Sequence, residues 1–218
     1  MHITKMFYKI PVKGYFETNS YFFVDEKSNR CFLIDPGAEG KRLLSIARNN
    51  YWIIEKILLT HGHFDHIEGI NEIRITNDIP VYAYENAGLY LLDPIKNLSH
   101  FCGHDIYIRN VHYFNDGDLI SLNKNPEFFL KVIHTPGHTE DSVVFYSENE
   151  KTAFVGDTIF KGRIGSTMYP GGNGDDLRKS ITEKIFALPD DTLLLSGHSE
   201  QTTVKAEHRN YMLYYRHF

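Results

Sequence analysis

The chain has 218 residues, of which 42% are hydrophobic and 23% are charged. This balance is typical of globular proteins and argues against the disordered and fibrous classes. The formal net charge of −5, with histidine counted as neutral, argues against a general nucleic-acid-binding surface, because such a surface needs an excess of positive charge.

Apolar stretches that end at turn residues divide the first half of the chain into strands and helices. The stretch 56–60 (KILLT) is short and almost entirely apolar, as expected of a buried strand, and it runs directly into His61. The helix at 67–76 has isoleucines on one face, although their β-branching disfavours a helix. We predict strands at 2–10, 20–25, 31–35, 56–60 and 80–83, and helices at 39–49, 67–76 and 85–92.

Short strands in close succession dominate the middle of the chain. The stretch 94–104 has no clear pattern and is predicted to be a loop or partly helical. The stretch 162–173 is rich in glycine and is predicted to be a loop. We predict strands at 106–108, 112–114, 119–122, 127–134, 142–147, 152–156 and 192–196, and helices at 175–187 and 203–214.

No linker or abrupt change of composition divides the chain, so we expect a single domain over 1–218. Strands alternate with helices early in the chain, hairpins crowd its middle, and a helix, a strand and a helix close it. Hairpins would be few in one doubly wound sheet, so this order favours two sheets packed face to face with helices outside. No stretch approaches about 18 uninterrupted apolar residues and no export signal is recognisable, so we expect a cytoplasmic protein with no membrane partner.

The strongest chemical signal is the segment 60–66 (THGHFDH), which follows an apolar strand directly. His61 and His63 can lie on one side of an extended chain, because alternate residues share a face. Asp65 and His66 would then lie at the start of the next helix. Imidazole and carboxylate groups are ligands for zinc, iron or manganese. The segment therefore predicts a divalent metal site, with a solvated polar loop as the plainer alternative.

Three later apolar strands end in a similar way. They lead to His138, Asp157 and His198, each directly preceded by a glycine. Glycine allows a close approach of the backbone, and strand ends hold side chains rigidly. Each of these residues could alone be a turn or capping residue. Because four apolar strands end in the same pattern, a common site is a better explanation than four unrelated turn or capping residues.

The complete set of motifs resembles the metallo-β-lactamase superfamily, and within it the glyoxalase II-related hydrolases. The resemblance implies an α/β fold, the four-layer αββα sandwich, with a two-metal site at one edge. A histidine at position 66 favours the binuclear, glyoxalase-like branch, since lactamases of the superfamily usually have another residue there. Carried over by position, the resemblance implies seven ligands: His61, His63 and His138 for the first metal, Asp65, His66 and His198 for the second, and Asp157 bridging both.

The resemblance also implies a metal-dependent hydrolase that cleaves a small acyl thioester. Two divalent ions, with zinc expected and iron or manganese as alternatives, would share a hydroxide that attacks the thioester carbonyl. Asp65 would be the catalytic residue, orienting that hydroxide and taking its proton. The alternative is a persulfide dioxygenase-like enzyme with one iron, which would use two histidines and one aspartate from the same set. The expected partner is a small-molecule substrate, with no nucleic acid.

Departures from the family pattern fall where relatives contact substrate. Residues 139–142 read TEDS where relatives often read TPGS, and residues 163–168 differ from a common Gly-Arg-Thr-Asp pattern. Full glyoxalase II enzymes carry a helical extension that helps to bind glutathione, whereas 203–218 leaves room for one helix. We therefore expect little selectivity for glutathione, with 94–104 and 162–173 as walls of the substrate pocket.

A few residues outside the metal set carry expectations of their own. Asp35, in the motif IDPGA, is expected to orient a ligand histidine or the loop after its strand. Cys31, in an apolar strand, and Cys102 are expected to be free thiols. The cluster His100-x-Cys102-x-His104 is interpreted as a surface or lid segment rather than a metal site.

Overall fold

Two six-stranded sheets pack face to face at the centre of the protein, and helices cover their outer faces. The structure is a computed structural model that describes residues 6–214. The four layers confirm the predicted single-domain αββα sandwich, the metallo-β-lactamase fold. The first sheet contains β1 (Phe7–Lys13), β2 (Glu17–Asp25), β3 (Arg30–Ile34), β4 (Ile53–Leu58), β5 (Val81–Tyr84) and β6 (Val111–Phe114), which are neighbours in chain order.

The second sheet is built from the later strands, in the spatial order β14-β13-β10-β9-β8-β7. A separate two-stranded hairpin, β11 with β12, follows β10 in the chain. These strands are β7 (Leu119–Leu122), β8 (Asn125–His134), β9 (Val143–Ser147), β10 (Thr152–Gly156), β11 (Ile159–Phe160), β12 (Arg163–Ile164), β13 (Leu193–Ser196) and β14 (Thr202–Thr203).

The helices are short, apart from the first and the last. A 3₁₀ helix lies between α4 and β6, and a π-helical segment continues α5 directly. Their bounds are α1 (Gly40–Asn49), α2 (Phe64–Ile67), α3 (Gly69–Arg74), α4 (Gly88–Leu91), the 3₁₀ helix (Ser99–Cys102), α5 (Gly174–Lys179), the π segment (Ser180–Ile185) and α6 (Val204–Tyr214).

Parallel pairing brings several strand ends to one edge of the sandwich. In the first sheet β3 and β4 are parallel, and in the second β10 and β13 are parallel. β8 runs in the same direction as β10, because both are antiparallel to β9. The carboxyl ends of these strands therefore point to one edge, and a backbone hydrogen bond from Val143 N to Thr60 O joins the two sheets there.

The apolar core has three parts that match the layers. Aromatic side chains such as Phe23, Phe32, Phe145 and Phe154 fill the space between the sheets. The outer face of the first sheet packs against α1, α2 and α3, and that of the second sheet packs against α5, the π segment and α6. Burial of apolar surface on both faces explains why Ile57, Leu58 and Leu59, at the end of β4, follow one another without a polar residue.

Most predicted elements are present, with shifted ends, and one predicted strand is wrong. Residues 106–108 form no strand, because their partners are two side chains and the carbonyl oxygen of Leu91 in α4 instead of a neighbouring strand. The Ile106 N–H donates to Ser99 Oγ at 2.9 Å, and Asn97 Nδ2 donates to Ile106 O at 3.0 Å. Asn97 and Ser99 are buried polar residues shortly before Ile106 in the chain. A hydrophobic pattern does not reveal contacts with polar side chains of this kind.

Other differences concern the helices and the termini. The predicted helix 67–76 begins earlier and divides at Glu68, because Gly69 N donates to Pro36 O instead of to an intrahelical carbonyl. The predicted loop 162–173 contains β12, and β14 was not predicted. Residues 2–5 of the first predicted strand lie outside the described residues.

Cys31 is buried, Cys102 is partly exposed, and both are free thiols as predicted. In the part of the chain that the structure describes, none of the helices is long and apolar enough to cross a membrane.

Candidate metal centre

The seven sequence-predicted ligands come together at the edge where the strand ends meet. A loop anchored on Asp35 sets the position of the segment after β4. Asp35, at φ 49°, accepts hydrogen bonds from Thr60 N at 2.8 Å and Thr60 Oγ1 at 2.6 Å. The segment therefore leaves β4 along a fixed path, with His61 and His63 turned toward the second sheet.

The first cluster is formed by His61, His63 and His138. Nε2 of His61 lies 3.2 Å from Nδ1 of His63, which lies 3.0 Å from Nε2 of His138. All three imidazoles are buried. Three ring nitrogens that face one another can offer lone pairs to one cation, which suits zinc bound by three histidines.

The second cluster joins Asp65, His66 and His198. Nε2 of His198 lies 3.0 Å from Oδ2 of Asp65, and Nε2 of His66 lies 4.0 Å from the same oxygen. The ligand atoms of the three residues all lie within 4.8 Å of one another. Two imidazoles and one carboxylate form a second set of donors beside the first.

Asp157 lies between the two clusters. Its Oδ1 is 3.4 Å from Nε2 of His66, and its Oδ2 is 3.4 Å from Nε2 of His198 and 3.7 Å from Nε2 of His138. One carboxylate therefore faces histidines of both clusters, which is the arrangement expected of a bridging ligand.

His66, His138 and His198 each have a hydrogen-bond acceptor for the ring nitrogen that faces away from the centre, whereas Nε2 of His63 is buried without one within residues 6–214. Nδ1 of His66 donates to Asp35 Oδ2 at 2.9 Å, so the expected contact between Asp35 and a candidate ligand is present. Nδ1 of His138 donates to Ser166 O at 2.7 Å, and Nδ1 of His198 donates to Glu17 O at 2.9 Å. Such partners fix the tautomer and the ring orientation of metal-binding histidines.

The electrostatic environment divides the histidines into two groups. Burial and the neighbouring His66 hold the pKa of His61 well below its usual value, and burial with His138 lowers the pKa of His63 to about 3. These imidazoles are neutral, which metal binding requires. Burial alone would also lower the pKa of His66, but nearby carboxylates, above all Asp157, hold it well above the usual value.

Buried polar atoms without partners are a direct test of whether the centre fits metal ions. Among residues 6–214, Nε2 of His66 and Oδ1 of Asp157 are buried and form no hydrogen bond. Both atoms face the second cluster. Leaving such atoms unsatisfied is costly, and divalent cations would satisfy them. The donor set, of five imidazoles and two carboxylates, therefore suits a pair of divalent cations.

Glycines allow the close packing around the centre, as the sequence pattern suggested. A Cβ at Gly197 would lie 2.5 Å from Asp157 Oδ1 and 2.6 Å from His66 Cε1. A Cβ at Gly156 would collide with the Thr60 side chain, and one at Gly137 with the backbone of Leu177. Gly137 also has φ 133°, which L-residues rarely adopt.

A cavity of about 470 Å³ opens from the metal centre to the surface. The predicted walls both contribute, with Leu98 from 94–104 and Tyr169 from 162–173. The β1–β2 turn adds Phe16 to the wall, and no sequence pattern had marked this turn as part of the cavity. The complete lining is Phe16, Glu17, His63, Phe64, Asp65, Leu98, His138, Asp157, Phe160, Arg163, Ile164, Ser166, Tyr169 and His198.

Other polar residues lie near the centre without joining it. His134 donates from Nε2 to Glu140 O at 2.9 Å and stacks on Tyr84. His100 and His104 pair with surface carboxylates at 3.0 and 3.4 Å. Asp141, which the sequence showed only as a departure from the family pattern, is buried with both carboxylate oxygens unbonded within residues 6–214. Burial raises its pKa to about 7.

Comparisons with known proteins cover nearly the whole chain. The family model described as the metallo-beta-lactamase superfamily matches residues 14–198. The probable metallo-hydrolase YqgX of Bacillus subtilis is 38% identical over 206 residues, which are 91% of this chain and 92% of YqgX. The hydroxyacylglutathione hydrolase GloC of Haemophilus influenzae is 29% identical over 204 residues, 92% of this chain and 94% of GloC. The crystal structure of the BLEG-1 B3 metallo-beta-lactamase matches with a TM-score of 0.88 and 33% identity, over 96% of this chain and 100% of that chain.

Proposed function

The chain belongs to the metallo-β-lactamase superfamily, and from that premise we propose that it hydrolyses small acyl thioesters at a pair of divalent metal ions. Membership of the superfamily and the similarity to YqgX support a metallo-hydrolase. Our proposal adds four points to this: the two-metal state, zinc as the metal, the roles of the seven ligands and the thioester substrate.

The observation that carries the proposal is the position of Asp157 between two complete sets of donors. His61, His63 and His138 would hold the first ion, and Asp65, His66 and His198 would hold the second. With its two oxygens facing both sets, Asp157 would bind both ions.

Divalent ions at this centre would supply a water of lowered pKa and would polarise a carbonyl group. In this proposal, Asp65 orients that water and accepts its proton. Burial alone would raise the pKa of Asp65, but His66 and His198 lower it, so the carboxylate is ionised. Thr18 Oγ1, at 3.4 Å, and His198 Nε2, at 3.0 Å, fix its Oδ2. An ionised and oriented carboxylate can accept a hydrogen bond from the attacking water.

The form of the cavity supports a thioester of modest size. Its walls combine aromatic and aliphatic side chains, including Phe16, Phe160 and Tyr169, with the polar centre at its base. An apolar wall suits the hydrocarbon parts and the polarisable sulfur of a thioester. The similarity to GloC, a hydroxyacylglutathione hydrolase, points the same way because acylglutathione compounds are thioesters.

The deciding experiment combines metal analysis with a substrate panel. Protein purified without chelators is analysed for metal, and its turnover of acyl thioesters, with and without glutathione as the thiol, is measured in the presence and absence of oxygen. We expect about two ions per chain and hydrolysis that does not depend on oxygen. Oxygen uptake driven by a persulfide, or cleavage of a β-lactam, with no thioester cleavage would overturn the proposal.

Asp65→Asn tests the proposed catalytic residue. Asparagine is nearly isosteric, so the fold should survive, while the rate should fall about 100-fold or more if the carboxylate orients the water or accepts its proton. Asp105→Asn is the matched control, because Asp105 is exposed and its carboxylate pairs with His100, at 3.0 Å, outside the cluster of candidate ligands. Equal rates for the two variants would remove Asp65 from the mechanism.

A further inference from the structure

One lining residue of the cavity carries a permanent positive charge. Arg163 is the only lysine or arginine among the described residues that line it. It lies on β12, and the pairing of Arg163 with Phe160 across the β11–β12 hairpin fixes its backbone. Its guanidinium carbon lies 4.7 Å from the centroid of the Phe160 ring. The guanidinium therefore lies over an aromatic ring in the wall of the cavity that opens from the metal centre.

The charge of Arg163 is not neutralised by a carboxylate within residues 6–214. Three other arginines are paired with carboxylates: Arg30 with Glu55 and Arg42 with Glu39, both at 2.6 Å, and Arg178 with Asp175 at 2.9 Å. Among the described residues, the partner of the Arg163 side chain is the Phe160 ring. A cation that is oriented by stacking and left unpaired retains all of its hydrogen-bond donors for a ligand.

The remaining charged side chains of the lining are acidic or belong to the candidate metal centre. Glu17 lies at the rim, while Asp65 and Asp157 face the histidines. The metal ions would offset the charges of Asp65 and Asp157, which leaves Glu17 as the acidic side chain of the lining outside the centre. Arg163 is the lining side chain outside the metal centre that can attract negative charge on a substrate.

We propose that Arg163 binds an anionic group, a carboxylate or a phosphate, that the substrate carries away from its thioester bond. This inference rests on the proposed thioester hydrolysis and defines the substrate class further, as anionic rather than neutral thioesters. The planar guanidinium suits both groups, because it donates two parallel hydrogen bonds to their oxygens. Arg163 acts on binding, so its removal raises KM and leaves kcat nearly unchanged.

Four small thioesters separate the possible sources of the charge. Acetyl-N-acetylcysteamine is neutral, the acetyl thioester of 3-mercaptopropionate carries a carboxylate on the thiol, and acetyl-phosphopantetheine carries a phosphate there. Succinyl-N-acetylcysteamine carries a carboxylate on the acyl side. The wild-type protein is compared with Arg163→Gln and Arg163→Lys. We expect Arg163→Gln to raise KM about tenfold or more for at least one anionic thioester and less than twofold for the neutral one, and Arg163→Lys to recover part of the loss.

Arg109→Gln is the matched control. Arg109 also stacks on an aromatic ring, with its guanidinium carbon 5.9 Å from the Tyr107 centroid, but it lines a different cavity. It should leave KM unchanged for all four substrates. Metal content and urea unfolding should match the wild type in every variant, since the Arg163 side chain is exposed.

The outcomes distinguish this inference from the function on which it rests. If the wild type cleaves none of the thioesters, the proposed function is wrong, and the inference is wrong with it. If the wild type cleaves them and Arg163→Gln changes KM equally for neutral and anionic substrates, or changes none, only the role of Arg163 is refuted.

Discussion

A single methyl group added at Gly197 would enter the second cluster of the metal centre. In Gly197→Ala, the new Cβ would lie 2.5 Å from Asp157 Oδ1, 2.6 Å from His66 Cε1 and 3.1 Å from His66 Nε2. The backbone of Gly197 is outside the left-handed region, so alanine adds no backbone strain. The substitution therefore changes the packing around His66 and Asp157 and does not directly touch the cluster of His61, His63 and His138.

The size of the effect follows from these distances. Contacts under 3.0 Å force the buried carboxylate and the imidazole to move, and overpacking of this kind costs about 1–3 kcal/mol of unfolding free energy. Displaced ligands weaken metal binding as well, and changes to the surroundings of a ligand lower affinity about 10- to 100-fold. We expect the bound metal to fall from two ions toward one per chain, with the first cluster still occupied.

The assay is metal analysis after equilibration with a competing chelator, combined with urea unfolding. Gly174→Ala is the control, because a Cβ there would have only Thr167 Oγ1 nearby, at 4.0 Å. It should bind metal as the wild type does. Two tightly bound ions in Gly197→Ala would refute the assignment of the second site to His66 and Asp157.

Three further predictions test the centre and its surroundings. Gly137→Ala should lose about 2 kcal/mol more unfolding free energy in urea than Gly117→Ala, because both have positive φ but only Gly137 lies against a neighbouring backbone; equal losses would contradict this. Asp157→Ala should reduce metal content at both sites and His198→Ala mainly at one, by elemental analysis; full occupancy in Asp157→Ala would exclude a bridging role. Burial raises the pKa of Asp141 from 3.8 to about 7, so its contribution favours folding below about pH 4 and is lost as pH rises to about 7. The unfolding free energy of Asp141→Asn, measured in urea, should therefore rise by about 4 kcal/mol relative to that of the wild type across this range. A difference in unfolding free energy that does not change with pH would refute the pKa shift.

The seven candidate ligands could be predicted from the sequence because metal chemistry restricts both residue type and position. Each follows a strand that is apolar enough to identify, and the strands fix their ends at one edge of the sandwich. Glycine before His138, Asp157 and His198 gave a second signal, and the close approaches at Gly137 and Gly197 show its physical basis. The layered fold was predictable for a related reason, since hairpins in the middle of the chain exclude one doubly wound sheet.

The partners of the ligands were less predictable because several are backbone atoms. His138 and His198 donate to the carbonyl oxygens of Ser166 and Glu17. Every residue has a carbonyl oxygen, so no residue type marks these positions. The false strand at 106–108 has a related cause, since Ile106 bonds to the side chains of Asn97 and Ser99 and Ile108 N donates to the carbonyl oxygen of Leu91.

Most of the residues that line the cavity could not be identified as a group from the sequence. Phe16, Phe160 and Tyr169 are ordinary aromatic residues, and their shared position depends on how the β1–β2 turn, β11 and the loop after β12 pack around the metal centre. In the sequence Arg163 looks like any other arginine, and its place over the Phe160 ring with no carboxylate partner within residues 6–214 depends on the β11–β12 hairpin. Few residue types bind zinc or iron, chiefly histidine, cysteine, aspartate and glutamate, whereas a substrate wall can be built from many residue types. The residues proposed to carry out the reaction therefore follow strand ends and can be identified from sequence patterns. Substrate selectivity depends on tertiary contacts among the loops, which those patterns do not show.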